Sequence, residues 1–323
     1  MRRAGILVVA GLVLFSLGAG HGPRVRRPMG PNVFYPGDPE ELREAVKAHC
    51  ASAPKVELPG PYVGCIVPHS GYRYSGNVAG HVYAGLKPGQ YDRVIVLAPS
   101  HHAKFRGCSI AAVDVYRTPL GDVPLDQEAI RRLAACSLVS VRSVVYRGDA
   151  YNIPEVRRVA LHENEHSIEV QLPFLQVQLG EFKLVPIIVG EFETPKGDRD
   201  DAAYDAMVKS LQGVVDSRTL LIAACEFTHF GYKYDYRPFE DDIASRIAAL
   251  DMEAFNLIQA RDVVGLRQYL ERTGNTFSAP GALEIMLRVL PDSAQGVLFG
   301  YDTSGRMAGT PDESVSFAAL GFF

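Results

Sequence analysis

The 323-residue chain has no tryptophan and only five cysteines, none of them in a CxxC pair. An odd number of cysteines at such spacings argues against a disulfide framework and against zinc ribbons or fingers. The chain also has no excess of basic residues, since 33 Lys and Arg stand against 37 Asp and Glu, for a net charge of −4. Non-specific nucleic-acid binding needs a basic surface, so no nucleic-acid partner is expected.

Several sequence patterns that would indicate other classes of protein are missing as well. Low-complexity tracts, heptads and repeats of solenoid length are absent, which excludes disordered, coiled-coil and repeat-array architectures. The chain contains no GxxxxGK[ST] loop, no GxGxxG fingerprint and no GxSxG elbow. Residues 162–166 (HENEH) do match the HExxH letters of zinc proteases, but the helix predicted here begins only at Ser167, so the two histidines are not expected to share a helix face. All four classes of enzyme are therefore poor fits.

The N-terminus carries the pattern of a targeting segment. Arg2 and Arg3 precede an apolar run over residues 4–17, and small residues follow it. Residues 1–20 are therefore predicted to be a signal peptide or an N-terminal anchor in contact with a membrane. This predicts a protein that is exported to the periplasm or the outside, or is membrane-anchored. Three arginines just beyond the run oppose translocation, which keeps a cytoplasmic location as the alternative.

Residues 21–38 are rich in Pro, Gly and Arg and are predicted to be a linker, which leaves residues 39–323 as one domain. Apolar strands alternate there with amphipathic helices, a pattern typical of an α/β fold with a mostly parallel sheet covered by helices on both faces. The predicted strands are Gly64–Val67, Arg93–Ala98, Ser109–Val113, Lys183–Val189, Thr219–Ala224, Gly296–Phe299 and Ser314–Leu320. The predicted helices are Pro39–Cys50, Gly76–Leu86, Asp126–Cys136, Ser167–Leu179, Asp200–Gln212, Pro238–Asn256, Val263–Arg272 and Ala279–Leu290.

Histidines follow three of the predicted strands within a few residues. His69 follows the strand that ends at Val67, His101 follows the next, and Glu226 and His229 follow the strand that ends at Ala224. Ligands bind beyond the carboxyl ends of parallel strands, where these side chains would meet. Imidazoles with a carboxylate hold iron, zinc or copper, or transfer protons. Each histidine alone is better explained as a hydrogen-bonded loop residue, but the three together favour a site.

A fourth polar segment covers residues 162–169, with two histidines and three carboxylates. His166 and Glu169 are three residues apart and would share a face of the helix that is predicted to begin at Ser167. The helix dipole favours acidic residues near the N-terminus of a helix. The segment is therefore explained equally well as a helix start and as a functional site.

Five ordered motifs together resemble the Memo family, whose prokaryotic members are called AmmeMemoRadiSam system protein B. The resemblance extends from about Val63 to the end of the chain and includes Asp312–Phe317. The motifs are Val67–Gly76 (VPHSGYRYSG), Leu97–His102 (LAPSHH), Asp114–Leu120 (DVYRTPL), Glu165–Phe174 (EHSIEVQLPF) and Glu226–Gly231 (EFTHFG). The resemblance implies an α/β fold similar to the class III extradiol dioxygenases, with a metal site near the sheet edge.

The resemblance also implies roles for particular residues. The two histidine ligands of the family match His69 and His101, and a further histidine near the metal matches His229. The aspartate of that last motif is replaced by Glu226. The cysteine ligand of the family belongs to an NTxCG motif, at which this chain has Ser278. A hydroxyl is a much weaker donor than a thiolate, so Glu226 or His229 completes the site, Ser278 holds a water on the metal, or the site is weak or empty.

The sequence is compatible with three functions. The first is a mononuclear metalloenzyme that carries out oxidation of the dioxygenase type on a small-molecule substrate. It would use Fe(II), with copper or zinc as other candidates, at His69, His101 and a carboxylate or Ser278, with His229 and Glu226 as catalytic groups. The alternative is a non-catalytic metal- or protein-binding protein on the same fold, and eukaryotic members of the family are associated with cell-motility signalling. The third is metal-dependent hydrolysis with Glu165 or Glu226 activating water.

Overall fold

The computed structural model describes residues 8–11, 22–54, 57–146 and 157–323. The strands are β1 (Val8–Gly11), β2 (Val25–Arg26), β3 (Gly64–Val67), β4 (Arg93–Pro99), β5 (Cys108–Ile110), β6 (Val115–Thr118), β7 (Gly121–Pro124), β8 (Val139–Tyr146), β9 (Arg157–Ala160), β10 (Lys183–Val189), β11 (Thr219–Ala224), β12 (His229–Phe230), β13 (Gly296–Thr303) and β14 (Ser314–Phe322). The helices are α1 (Pro39–Ala51), α2 (Tyr72–Tyr83), α3 (Gln127–Leu133), α4 (Leu172–Leu179), α5 (Asp201–Gln212), α6 (Ile243–Gln259), α7 (Val263–Thr273), α8 (Pro280–Val289) and α9 (Ser304–Ala308).

The centre of the main sheet is parallel, in the order β10-β4-β11-β3. These strands are apolar and almost fully buried, as expected of parallel strands covered on both faces. The flanks differ from the mostly parallel sheet that the sequence predicts, because β5, β14 and the strands beyond them add antiparallel pairs. A second, three-stranded sheet contains β2, β6 and β7.

The helices form two groups that cover the two faces of the sheet, so the predicted single α/β domain is confirmed. Helices α1, α2 and α4 pack on one another, and α2 lies on β3 and β14. Helix α8 lies on β4 and β11 and packs against α5 and α7. Where the boundaries differ, local chemistry explains the difference: the predicted helix Ser167–Leu179 is a short 3-10 turn followed by α4, whose first turn contains Pro173.

The segment before α1 differs from the linker that its composition predicts. Arg26 is fully buried, and β2 pairs in parallel with β6. Tyr35 is also buried, and the backbone nitrogen of Tyr72 donates to the carbonyl oxygen of Phe34. Residues 22–38 are therefore part of the folded domain, because burial of an arginine and a tyrosine fixes the segment against it.

The predicted signal or anchor segment, residues 1–20, lies outside the described residues except for β1, whose backbone pairs antiparallel with β8. Export or anchoring stays a prediction. In the part of the chain that the structure describes, no helix has both the length and the apolarity that a membrane crossing requires.

Candidate metal centre

The carboxyl ends of β3, β4 and β11 lie side by side, and the loops that follow them carry the site. His69 follows β3, His101 follows β4, and Glu226 follows β11. The rings of His69 and His101 are 5.1 Å apart between centroids. The structure therefore brings together the side chains that the sequence places after three separate strands.

His69 is a buried imidazole without a hydrogen bond of ordinary geometry. It is 1% exposed, and neither Nδ1 nor Nε2 has a hydrogen-bond partner among the described residues. Its Nε2 lies 4.0 Å from Oε2 of Glu226, and its backbone nitrogen donates to Oε1 of the same carboxylate at 3.3 Å. Burial, together with the neighbouring His101, lowers the pKa of His69 far below its usual range. The backbone of Ala224 and the charge of Glu165 favour the protonated ring but are outweighed. The ring is therefore neutral, and a buried polar group without a well-formed hydrogen bond among the described residues is costly unless something binds it.

Glu165 orients the neighbouring imidazoles. It is 2% exposed, and its Oε1 lies 2.9 Å from Nδ1 of His101 and 3.4 Å from Nδ1 of His166. Backbone nitrogens of His101, His166 and Ser167 also donate to this carboxylate. With Nδ1 of both rings turned toward one oxygen, each ring presents Nε2 on its opposite side.

The charges at this carboxylate follow from its contacts. Burial opposes ionisation of Glu165, but the hydrogen bond and the charge of His101 outweigh it and lower the pKa of Glu165. Burial likewise opposes protonation of His101, and the Glu165 carboxylate outweighs it and raises the pKa of His101. Burial lowers the pKa of His166 to about 4, so this ring is neutral at neutral pH. The carboxylate is therefore an anion that holds a proton on Nδ1 of His101.

His101, Glu165 and His166 form one group that is compact enough to hold a metal ion. Ligand atoms of His101, Glu165 and His166 all lie within 4.8 Å of one another. The His166 ring stacks on His101 at 4.7 Å between centroids and lies 6.0 Å from the His69 ring. The sequence placed His166 in a segment that a helix start explained equally well. The stacking of His166 on His101 cannot be read from the sequence, because it depends on how the loop before α4 crosses the end of β4.

His229 faces Glu226 from the other side of the cluster. Its Nδ1 lies 2.8 Å from the carbonyl oxygen of Phe227 and 2.9 Å from that of Thr276, so Nδ1 carries the proton. Its Nε2 lies 3.8 Å from Oε2 of Glu226. An imidazole with this tautomer has a free lone pair at Nε2, which is the arrangement a proton-accepting group needs.

Ser278 lies beside Glu226 and makes hydrogen bonds to its backbone. Its Oγ accepts from the backbone nitrogen of Glu226 at 2.9 Å and donates to the Glu226 carbonyl at 3.3 Å. The Sγ of Cys225 is 3.9 Å from the same hydroxyl oxygen. The structure thus places Ser278 at the edge of the cluster, and its role as a metal ligand stays a prediction.

A folded segment in front of α1 covers the cluster. The ring of Phe34 stacks on His166 at 4.2 Å between centroids and 12° between planes. This segment is fastened by Glu169, which is fully buried and accepts from the Arg26 guanidinium, from the Tyr35 hydroxyl and from the backbone of Met29 and Gly30. The stack holds one face of the His166 ring while His101 lies on the other.

Comparison with known proteins gives one family match and three similar proteins. The family model described as "Memo-like protein" matches residues 26–321. The MEMO1 family protein of Methanopyrus kandleri is 31% identical over 308 residues, which are 92% of this chain and 98% of that protein. Rat Protein MEMO1 is 27% identical over 274 residues, 80% of this chain and 84% of that protein. The chain belongs to the Memo family. A solved structure of an uncharacterized protein from Escherichia coli K12 also matches, at 12% identity and a TM-score of 0.45, over 80% of this chain and 99% of that one.

The Memo match begins at Arg26 and so includes the segment that covers the cluster. The sequence resemblance began only near Val63, because the motifs that carried it all lie beyond that point. The residues before Val63 carry none of these motifs. The buried side chains of Arg26 and Tyr35 hold them in the Memo domain.

His162, although it lies in the same polar segment, is outside the cluster. Its ring is buried, with Nδ1 2.6 Å from the Tyr116 hydroxyl and Nε2 3.0 Å from the carbonyl oxygen of Ser109. A hydroxyl that donates to Nδ1 and a carbonyl that accepts from Nε2 fix a neutral ring. The role of His162 is therefore structural.

We expect acid to destabilise the protein in part through His162. Burial lowers the pKa of this ring from 6.5 to about 4, so between these pH values the unfolded chain binds a proton that the folded chain does not. The neutral His162 ring contributes its full stabilisation at pH values above the unfolded-state pKa of 6.5. As the pH falls from there toward the folded-state pKa, the free energy of unfolding decreases by about 1.4 kcal/mol per pH unit at most. In urea titrations across this range, His162→Gln should show a shallower pH dependence than wild type, and an unchanged slope would contradict the assignment.

Proposed function

We propose that the cluster is a mononuclear metal centre that uses His69 and His101 as ligands and supports oxidative chemistry of the dioxygenase type. The observation that carries this proposal is the His69 ring, which is buried and neutral and has no well-formed hydrogen bond at either nitrogen among the residues that the structure describes. Neutral imidazoles beside carboxylates suit Fe(II), copper and zinc. Fe(II) is the metal we favour, because two histidines and a carboxylate are the donors of non-haem iron sites. Glu226, whose Oε2 lies 4.0 Å from Nε2 of His69, is the carboxylate that would complete this set.

The residues around the centre have separate tasks in this proposal. A bound metal would polarise or activate an oxygen-bearing substrate or dioxygen. Glu165 keeps the proton on Nδ1 of His101 and so leaves Nε2 free to bind the metal. His229 accepts or returns a proton at Nε2, and Glu226, 3.8 Å away, stabilises the charge that forms there. Phe34 covers the His166 side and reduces access of water.

The experiment that tests this function does not need the substrate. The protein is loaded with Fe(II) under anaerobic conditions and exposed to nitric oxide, a stable substitute for dioxygen. We expect one equivalent of bound iron and the EPR signal of an iron–nitrosyl complex, both absent in His69→Ala. Iron that binds without any nitrosyl signal would instead indicate a closed metal site and favour a non-catalytic metal- or partner-binding protein.

A second expectation concerns the carboxylate that orients the ligand. Glu165→Gln removes the charge that holds Nδ1–H of His101, so metal affinity should fall by roughly 10–100-fold, the usual effect of losing a partner that orients a histidine ligand. Glu163→Gln is the matched control, because Glu163 lies two residues away and is exposed. Metal titration of both variants decides the point, and equal affinities would show that Glu165 does not act through His101.

A further inference from the structure

We infer that the buried carboxyl group of Asp251 positions His229 for proton transfer through a chain of hydrogen bonds. The inference rests on the proposed function for the task of His229, and it adds a positioning residue on α6, outside the cluster. Asp251 is fully buried and is linked to His229 by the side chains of Thr228, Asn275 and Thr276.

The chain begins at the two carboxyl oxygens of Asp251. Oδ1 accepts from the Thr228 hydroxyl at 2.6 Å and from its backbone nitrogen at 3.4 Å, and Oδ2 accepts from the Tyr301 hydroxyl at 2.8 Å. Ile247 and Phe255 are apolar neighbours on the buried face of α6, and burial raises the pKa of Asp251. A polar group at such a position costs free energy unless hydrogen bonds compensate it. Compensated in this way, it fixes the arrangement of the groups that it joins.

Thr228 also binds the loop between α7 and α8. Its Oγ1 accepts from Nδ2 of Asn275 at 2.8 Å while its proton is donated to Asp251. The direction of the chain is fixed, because an amide nitrogen only donates. Nδ2 of Asn275 also donates to the Tyr269 hydroxyl at 2.7 Å, and its Oδ1 accepts from the backbone nitrogen of Thr276 at 2.7 Å. The loop forms neither helix nor strand, so these side-chain hydrogen bonds hold it in place.

The loop and Thr228 hold His229 from two sides. Oγ1 of Thr276 accepts from the backbone nitrogen of His229 and donates to its carbonyl oxygen, both at 2.9 Å. Nδ1 of the ring lies 2.9 Å from the carbonyl oxygen of Thr276 and 2.8 Å from that of Phe227, the residue before Thr228. The chain therefore places both carbonyl oxygens that keep the proton on Nδ1. Nε2 is left without that proton, 3.8 Å from Oε2 of Glu226.

The secondary structure around His229 is too short to fix the ring by itself. Strand β12 contains only His229 and Phe230, fewer residues than a strand usually has, and it pairs with β14. The hydrogen-bond chain from Asp251 supplies the second constraint. None of its members is a metal ligand in the proposed function, so replacing them separates the positioning of His229 from metal binding.

Nitrogen-15 NMR of the histidine rings tests the inference in the full chain after chelation of metal. At alkaline pH the rings are neutral, and the ring nitrogen shifts report which nitrogen carries the proton; His229→Gln identifies the signals of His229. We expect the proton on Nδ1 in wild type. In Asp251→Leu and in Thr228→Val, the ratio of this tautomer to the other should fall by roughly 2–10-fold, the equilibrium effect of losing one hydrogen bond. Thr228→Ser keeps the hydroxyl and should restore the wild-type ratio.

Thr118→Val is the matched control, because Thr118 is also buried and its hydroxyl donates to the Gln176 side chain at 2.6 Å. It should lower the urea midpoint as Thr228→Val does but keep the wild-type tautomer ratio. Circular dichroism confirms that each variant folds. An unchanged ratio in Thr228→Val, or the same fall in Thr228→Ser or Thr118→Val, would overturn the inference.

Iron loading of the same proteins separates this inference from the proposed function. Wild type, Asp251→Leu and Thr228→Val should each bind one equivalent of Fe(II), because the replaced side chains do not bind the metal. Wild type that binds no iron, with the tautomer ratios changed as expected, would contradict the proposed metal centre and still support the positioning of His229 by Asp251.

Discussion

Replacing Arg26 by alanine is expected to destabilise the protein by about 3–5 kcal/mol, the usual effect of leaving one partner of a buried ion pair uncompensated. Arg26 and Glu169 are both fully buried and pair directly. The guanidinium also donates to the carbonyl oxygens of His162 and Glu165. Without it, Glu169 is left in the interior without its partner, and the segment that carries Phe34 loses its main attachment.

Arg24 provides the matched control, because it lies two residues earlier on the same segment. Its pair with Asp114 is about half exposed, and such pairs contribute only about 0–1 kcal/mol. The urea midpoint of Arg26→Ala should therefore be far below that of wild type, and the midpoint of Arg24→Ala should be close to that of wild type. Similar midpoints for the two variants would show that the segment is not fastened through Arg26.

The second large effect is expected for His69→Ala, which should lose stoichiometric metal binding. Within the described part of the chain, the nitrogens of the neutral, buried His69 ring make no well-formed hydrogen bond, so the protein gains more from metal at this side chain than at a histidine already hydrogen-bonded. Removal also relieves the cost of burying an unpaired polar ring. We therefore expect His69→Ala to be folded and no less stable without metal than wild type.

A cobalt titration, followed by visible absorbance, measures this difference. His49→Gln serves as the control, because His49 has its Nδ1 2.7 Å from the Asn77 side chain and lies at the end of α1, away from the cluster. Wild type and His49→Gln should bind one equivalent of cobalt, and His69→Ala should bind none tightly. Binding that survives in His69→Ala would place the metal elsewhere or exclude this centre.

The strands and their carboxyl ends could be predicted from the sequence because the physical signal is local. Continuous apolar runs such as Arg93–Pro99 identify buried parallel strands, and parallel strands deliver their loops to one edge. His69, His101 and Glu226 were found in this way. The Memo motifs added the expectation of a metal, and the orphaned nitrogens of His69 support it.

The contribution of the covering segment could not be predicted, because it depends on contacts between residues far apart in sequence. Arg26 lies in a stretch whose composition is typical of a linker, and only its pairing with Glu169, 143 residues away, makes it a core residue. The stack of Phe34 on His166 depends on the same fastening. The roles of Glu165 and His166 were hidden for a similar reason, since the loop that carries them meets β4 only in the folded sheet.

The measurement that tests the metal centre most directly is elemental analysis of protein purified under anaerobic conditions, with wild type and Ser278→Cys prepared side by side. Our account predicts about one equivalent of iron, or of copper, in wild type without help from a cysteine at position 278. Wild type without metal, beside a Ser278→Cys variant that gains it, would contradict the account and show that this chain lost the centre together with the thiolate.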